Sequence, residues 1–234
     1  MVTTENTQVT TTETEVIAEK RAKTAETIEK GISEKITLLD GAISSPEILE
    51  KVAKFNYTAE RLTAAKALAT ETATLHAAQK KEQGEALTAS QKFTELKELA
   101  DEEYTDFVAL ARYIFKNNET ARRALLLDGS RKKAFGSWSE EGKVFYTNAL
   151  TNPEIAAEFA KNGITADMLK AGGTALLNAI SYKVNAEKEK SEAIRATELR
   201  DTKLEELDEF VKGFRAFAKV ALKGRADLVK KIGI

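Results

Sequence analysis

The chain of 234 residues sets 36 Lys and Arg against 37 Asp and Glu, a net charge of −1, with 42% hydrophobic residues, 7% aromatics, 2 Pro and no Cys. That length suffices for one large core or two modest ones, and the charge balance excludes a global attraction to nucleic acid or anionic lipid, so any such contact has to be local. A single histidine without cysteine excludes the usual zinc sites, while 31% charged residues with much Ala, Glu, Lys and Leu is the composition of long helices.

No run of eighteen apolar residues occurs, so no membrane span is expected. The opening Met1-Val2-Thr3-Thr4-Glu5-Asn6 lacks the charged and apolar regions of a secretory leader, and the expected location is cytoplasmic. Residues 1–14, rich in Thr and Glu, have almost nothing to bury and read as a flexible tail. A first helix is predicted from about Glu15, with Val16, Ile17, Ala22, Ala25, Ile28, Ile32, Ile36 and Leu39 on one stripe. It should end near Asp40-Gly41, where glycine suits a C-terminal cap. Ser45-Pro46 then opens a short helix to about Phe55, serine as N-cap and proline at the first helical position.

Thr58 caps a long helix reaching Lys116. Its seam alternates steps of three and four through Leu62, Ala65, Ala69, Thr72, His76, Gln79, Gln83, Ala86, Ser90, Phe93, Lys97, Ala100, Tyr104, Phe107, Ala111 and Ile114. That spacing keeps one face against a partner. The ends of the seam are apolar and its middle is polar, so the middle is expected to stay partly wet and to fix register. A short helix follows over Glu119–Leu127, then a loop over Gly129–Ser137. Trp138–Leu150 should be helical, anchored by Trp138, Val144, Phe145 and Leu150. Asn152-Pro153 repeats the earlier cap, and Thr165 starts a second long helix with a matching seam. Arg225–Ile234 closes as a short helix.

The chain aligns with itself at an offset of 107 residues without a gap: Pro46-Glu47-Ile48 falls on Pro153-Glu154-Ile155, Thr58-Ala59 on Thr165-Ala166, and Lys81-Glu82 on Lys188-Glu189. About 21 of roughly 71 aligned positions are identical, the mark of an internal duplication. Gly84 is the obvious breaker in the first copy, yet its counterpart Ser191 lies among good helix formers. Each copy is therefore predicted to hold one unbroken helix of nearly 60 residues, about 85–90 Å long. The last short helix should match Glu119–Leu127 after a small deletion. The expected fold is all-α: a pseudo-twofold tandem repeat in which two long antiparallel helices form a coiled-coil shaft with a small helical bundle at each end. Residues 15–127 make the first repeat and 128–234 the second, intertwined as one elongated unit.

Leu126-Leu127-Asp128-Gly129-Ser130-Arg131-Lys132-Lys133 followed by Trp138, and the ending Phe214–Leu222, Leu228, Ile232-Gly233-Ile234, carry a resemblance. They look like an uncharacterised family of bacterial all-helical proteins that finish in a comparable Leu-Gly-Ile. The resemblance implies architecture over most of the chain after residue 45 and no activity.

Catalytic constellations are missing. There is no Gly-x-Ser-x-Gly, and one histidine permits neither a di-iron Glu-x-x-His pair on two helices nor more than one Ser/His/Asp set. The many carboxylates read as solvated helix faces laced by i to i+4 pairs. Gly172-Gly173 reads as close helix approach, since the Walker spacing is absent. His76 reads as a seam histidine, with a pH-sensitive register switch as the sharper alternative. The strongest local signal is Arg122, Arg123, Arg131, Lys132 and Lys133 beside Phe135 and Trp138: five cations with two aromatics suit phosphate, a nucleic-acid backbone or an acidic partner. Lys223, Arg225, Lys230 and Lys231 form a second basic group. Complementing helix C-termini explains the same charges, and Trp138 serves as well as a core anchor.

The expected function is a non-enzymatic structural or protein-interaction bundle that meets a protein partner or copies of itself, with no cofactor, no metal and no membrane contact. The alternative is a module binding nucleic acid or another polyanion through its basic ends.

Overall fold

A computed structural model describes residues 26–234. The predicted tail and the predicted start of the first helix lie outside these residues. The described chain is all-helical, with no strand. Helix α1 covers residues 26–43, followed by α2 (Pro46–Ala53), α3 (Ala59–Ile114), α4 (Glu119–Ala124), α5 (Phe135–Thr151), α6 (Pro153–Lys161), α7 (Ala166–Ala221) and α8 (Ala226–Lys231). The limits of α2, α3 and α4 plus 107 give the starts of α6, α7 and α8, and the ends of α7 and α8 as well. The expected deletion before the last helix is therefore not needed: α8 keeps the same offset as α7.

The caps follow from side chains that can accept from free N–H groups at a helix start. Thr58 Oγ1 accepts from Arg61 N and Thr165 Oγ1 from Met168 N, both at 3.3 Å. Asn152 Oδ1 accepts from the N–H groups of Glu154 and Ile155 ahead of α6. Ser45 holds the corresponding place before α2 through backbone alone, without a side-chain cap. Gly41 does not end α1, which continues to residue 43. A Cβ there would stand 3.1 Å from Ile232 Cγ2, so close approach of α8 accounts for the glycine.

Helices α3 and α7 each run 56 residues without a break. Gly84 is exposed and a Cβ on it would meet nothing within 4 Å. One such glycine costs roughly 1 kcal/mol against alanine, too little to interrupt a ladder already formed on both sides.

The two long helices pack together and contribute to two compact units. Among the described residues, the first comprises residues 26–81 with Ile194–Ile234. Its core sets Leu38, Leu39, Ile48, Val52 and Leu62 against Leu207, Val211, Phe214, Leu222, Leu228 and Ile232. Tyr57 meets Phe214 with ring centroids 5.3 Å apart. The second unit is Glu82–Ala193. Its core is more aromatic, with Tyr104, Phe107, Phe115, Trp138, Phe145, Tyr146 and Phe159 around Leu125, Leu169 and Leu176.

The seam departs from expectation in its middle. Thr72, His76 and Gln79 are buried, not wet. Thr72 Oγ1 donates to Leu68 O at 2.8 Å, and the His76 ring meets Arg200, so burial leaves these polar groups partnered. Farther on, Ala89 is buried and Leu96 half-buried, whereas Gln83 and Ser90 are exposed. The alternation slips by one residue at Ala89, which gains from burial while its neighbour Ser90 would lose hydration; Leu96 and Lys97 are both half-buried, and the expected seam resumes at Ala100. In the second long helix the departure is confined to Glu189, half-buried beside the exposed Lys190, and the expected seam residues Ala193 and Arg200 are buried.

Candidate functional site

The five cations singled out from sequence lie in the second unit, on α4 and on the irregular stretch before α5. Arg122 pairs with Asp128, and Arg123 Nη2 lies 2.5 Å from Glu119 Oε1. Arg131 is the most enclosed of them: Nη2 donates to Asp101 Oδ1 at 2.6 Å, Nη1 donates to Thr105, and the guanidinium carbon sits 4.2 Å from the Tyr104 ring centroid. Trp138 is 1% exposed and its Nε1 donates to the same Asp101 oxygen at 2.7 Å. Asp101 thus ties the loop and α5 to α3. Burial pushes the Tyr104 hydroxyl up to about 12, with the Arg131 charge pulling the other way. Burial likewise raises Tyr146, whose hydroxyl has no hydrogen-bond partner among the described residues.

Three of the five cations are therefore committed to carboxylates of the same chain. Lys132 contributes its backbone N–H to Glu141 at 3.3 Å, leaving its side chain exposed as Lys133 is. Phe135 packs its ring 5.7 Å from Trp138 and 5.5 Å from Phe93, which makes it a core-rim residue.

In the first unit, Arg225 pairs with Glu47 and places Nη2 2.7 Å from Asp227 Oδ2. Beside it a groove of about 780 Å³ is lined by Lys219, Leu222, Lys223, Gly224, Arg225, Ala226, Val229, Lys230, Gly233 and Ile234. Lys219, Lys223 and Lys230 are exposed and make no ion pair among the described residues. The sequence reading named three of the groove's cations but not Lys219, which stands on α7 rather than in the terminal run. Its counterpart at the 107 offset, Arg112, was the available signal.

His76, 3% exposed, has Nδ1 3.3 Å from Arg200 Nη1. Arg200 Nε is 2.6 Å from Asp201 Oδ1, although the contact is out of line for a hydrogen bond. A different group escaped the sequence reading altogether. Carboxylate oxygens of Glu82, Glu189 and Glu192 lie within 4.8 Å of one another, all three residues half-buried. Oxygen donors at this spacing can hold a hard cation, but Lys188 Nζ already stands 3.4 Å from Glu192 and 3.6 Å from Glu189 as countercharge. Identity of Glu82 with Glu189 and of Glu85 with Glu192 at the repeat offset was the signal that pointed to it.

No helix among the described residues is long and apolar enough to cross a membrane. Compared with known proteins, the chain matches no family model, no curated protein and no solved structure.

Proposed function

We propose that the chain is a cytoplasmic, non-enzymatic interaction bundle: a pseudo-twofold tandem repeat whose long helices run antiparallel as a shaft, with a small bundle at each end. It offers helix faces to a protein partner or to copies of itself. The observation that carries this is the recurrence of helix limits at 107 residues. Left-handed backbone recurs at the same offset, Asn56 with Gly163 and Leu126 with Gly233.

Core contacts support the repeat by exchanging large for small. A Cβ on Gly172 would stand 2.5 Å from Tyr146 Oη, and the positions 107 earlier are Ala65 and Leu39, both buried in the first unit's core. Gly142 against Leu176 answers to Lys35 and Ala69; Tyr57 against Gly213 answers to Ile164 and Asp106. Arg200 against His76 corresponds to Phe93 under Lys183, whose Nζ is 5.2 Å from the ring. Exposed apolar residues recur too, Leu87 with Ile194, Leu110 with Phe217 and Tyr113 with Val220, and exposed apolar faces are what a partner covers. The resemblance to helical proteins ending in Leu-Gly-Ile rests on residues such as Trp138, Leu228 and Ile232, which all lie in the cores.

Small-angle scattering behind size exclusion tests the proposal. A radius of gyration well above the roughly 17–18 Å of a compact chain of this length is expected; a value at that figure would defeat it. The rival reading, polyanion binding through Arg122, Arg123, Arg131, Lys132 and Lys133, is supported by the two exposed lysines. It predicts a salt-sensitive gel shift that Lys132→Glu with Lys133→Glu abolishes.

A further inference from the structure

Charge is segregated along the two long helices. On α3 the stretch from Glu98 to Ala111 carries five acids and no base, whereas from Phe210 on α7 to Ala226 there are five bases and no acid. The acidic stretch belongs to the second unit and the basic one to the first. Each runs beside an exposed apolar ridge, Leu110 and Tyr113 on α3, Phe217 and Val220 on α7. Leu99 prolongs the ridge of α3, and Phe55 widens that of α7, its ring 5.8 Å from the Phe217 ring. Steps of seven and four residues put Leu99, Asp106 and Leu110 on one line of the helix, with Glu102 beside it. Glu98, Glu102 and Asp106 are exposed and make no ion pair among the described residues, and the same holds of Lys212 and Arg215.

We infer that a second copy of the chain covers these faces: the acidic, apolar face of α3 in one copy meets the basic, apolar face of α7 in the next. Opposite charges set beside apolar ridges are the complementarity that steers two surfaces together and fixes their register. Each face rejects its own kind, because like charges set opposite one another across an interface repel. The contact is therefore heterologous, joining unlike patches. A foreign protein would have to bring one of these faces, while this chain carries both, five charges against five. An anionic membrane or a nucleic acid answers the basic face alone and leaves Leu99, Leu110 and Tyr113 uncovered among acids. The inference rests on the interaction role proposed above and names its partner.

Sedimentation equilibrium of the full chain tests it. The average mass should rise with protein concentration at about 0.05 M salt and fall toward the monomer at about 0.5 M, where exposed charges are screened. Glu102→Lys with Asp106→Lys, or Lys212→Glu with Arg215→Glu, should each weaken association about tenfold. Mixing the two variants should restore it, because each brings the face that the other lacks. Circular dichroism checks that these exposed substitutions keep the helices. A monomer at every concentration in low salt, association that neither pair of changes alters, or variants that stay apart when mixed would each overturn the inference. So would binding to phosphatidylserine vesicles or to an oligonucleotide that is tighter than self-association and is lost with Lys212 and Arg215. Scattering in high salt reads the bundle separately: an elongated chain that never associates keeps the bundle and loses this contact, and a compact chain that associates through these residues does the reverse.

Discussion

Leu126 has a φ of 53°, a conformation that costs a side-chain-bearing residue about 1–2 kcal/mol, whereas Gly233 at the matching position adopts 67°. Leu126 is 47% exposed, so replacing it loses little burial. Leu126→Gly should therefore stabilise the protein by roughly 0.5–1 kcal/mol, seen as a higher urea midpoint with unchanged slope. Tyr104 makes a second prediction. Its folded-state hydroxyl holds its proton to about 12, against about 10 when unfolded, so folding binds the proton more tightly. The stability is intact below pH of about 10 and falls as pH rises from there to about 12. Denaturant titrations across that window should show the decline, and Tyr104→Phe should make it shallower.

Helices and their caps were legible because their signals are local: Thr58, Asn152-Pro153 and Thr165 each announce a start within four residues. Continuity through Gly84 was legible only by comparing it with Ser191. Gly84→Ala should raise stability by roughly 1 kcal/mol, a gain that a turn at this position would not give; thermal unfolding measures it. Less legible was which side of the middle seam faces inward. Ala, Glu and Ser occupy neighbouring positions there, and period alone does not choose between Ala89 and Ser90. The Gly172 contact with Tyr146 was anticipated as close approach, but its partner was out of reach because Tyr146 lies on another helix. Gly172→Ala should destabilise by about 1–3 kcal/mol through overpacking. Adding Tyr146→Leu, which recreates the Ala65 and Leu39 combination, should recover most of that loss in a double-mutant cycle.

At the scale of the chain, composition and periodicity gave the all-helical class, and the offset of 107 gave the order of elements. The candidate anion site was legible as a cluster of charges and illegible as a site, since Arg122 and Arg123 find acids nearby in sequence while Arg131 finds Asp101 thirty residues away. A sequence shows cations readily; it does not show which are already neutralised. Each core joins the first half of the chain to the second, because residues 38–69 pack with 207–232 in one and residues 100–127 with 138–179 in the other. Residues 1–127 and 128–234 made separately should each fail to fold as monomers, and mixing them should restore the helical circular dichroism signal.

The unequal partners at Tyr57 and Gly213, and at His76 and Arg200, bear on how such halves would choose mates. Two copies of the leading half would press the Tyr57 phenol onto Asp106; two copies of the trailing half would leave Ile164 facing an empty glycine and bring Lys183 against Arg200, cation to cation. On the repeat proposed above, like would reject like, and each half is fitted to the other rather than to a second copy of itself.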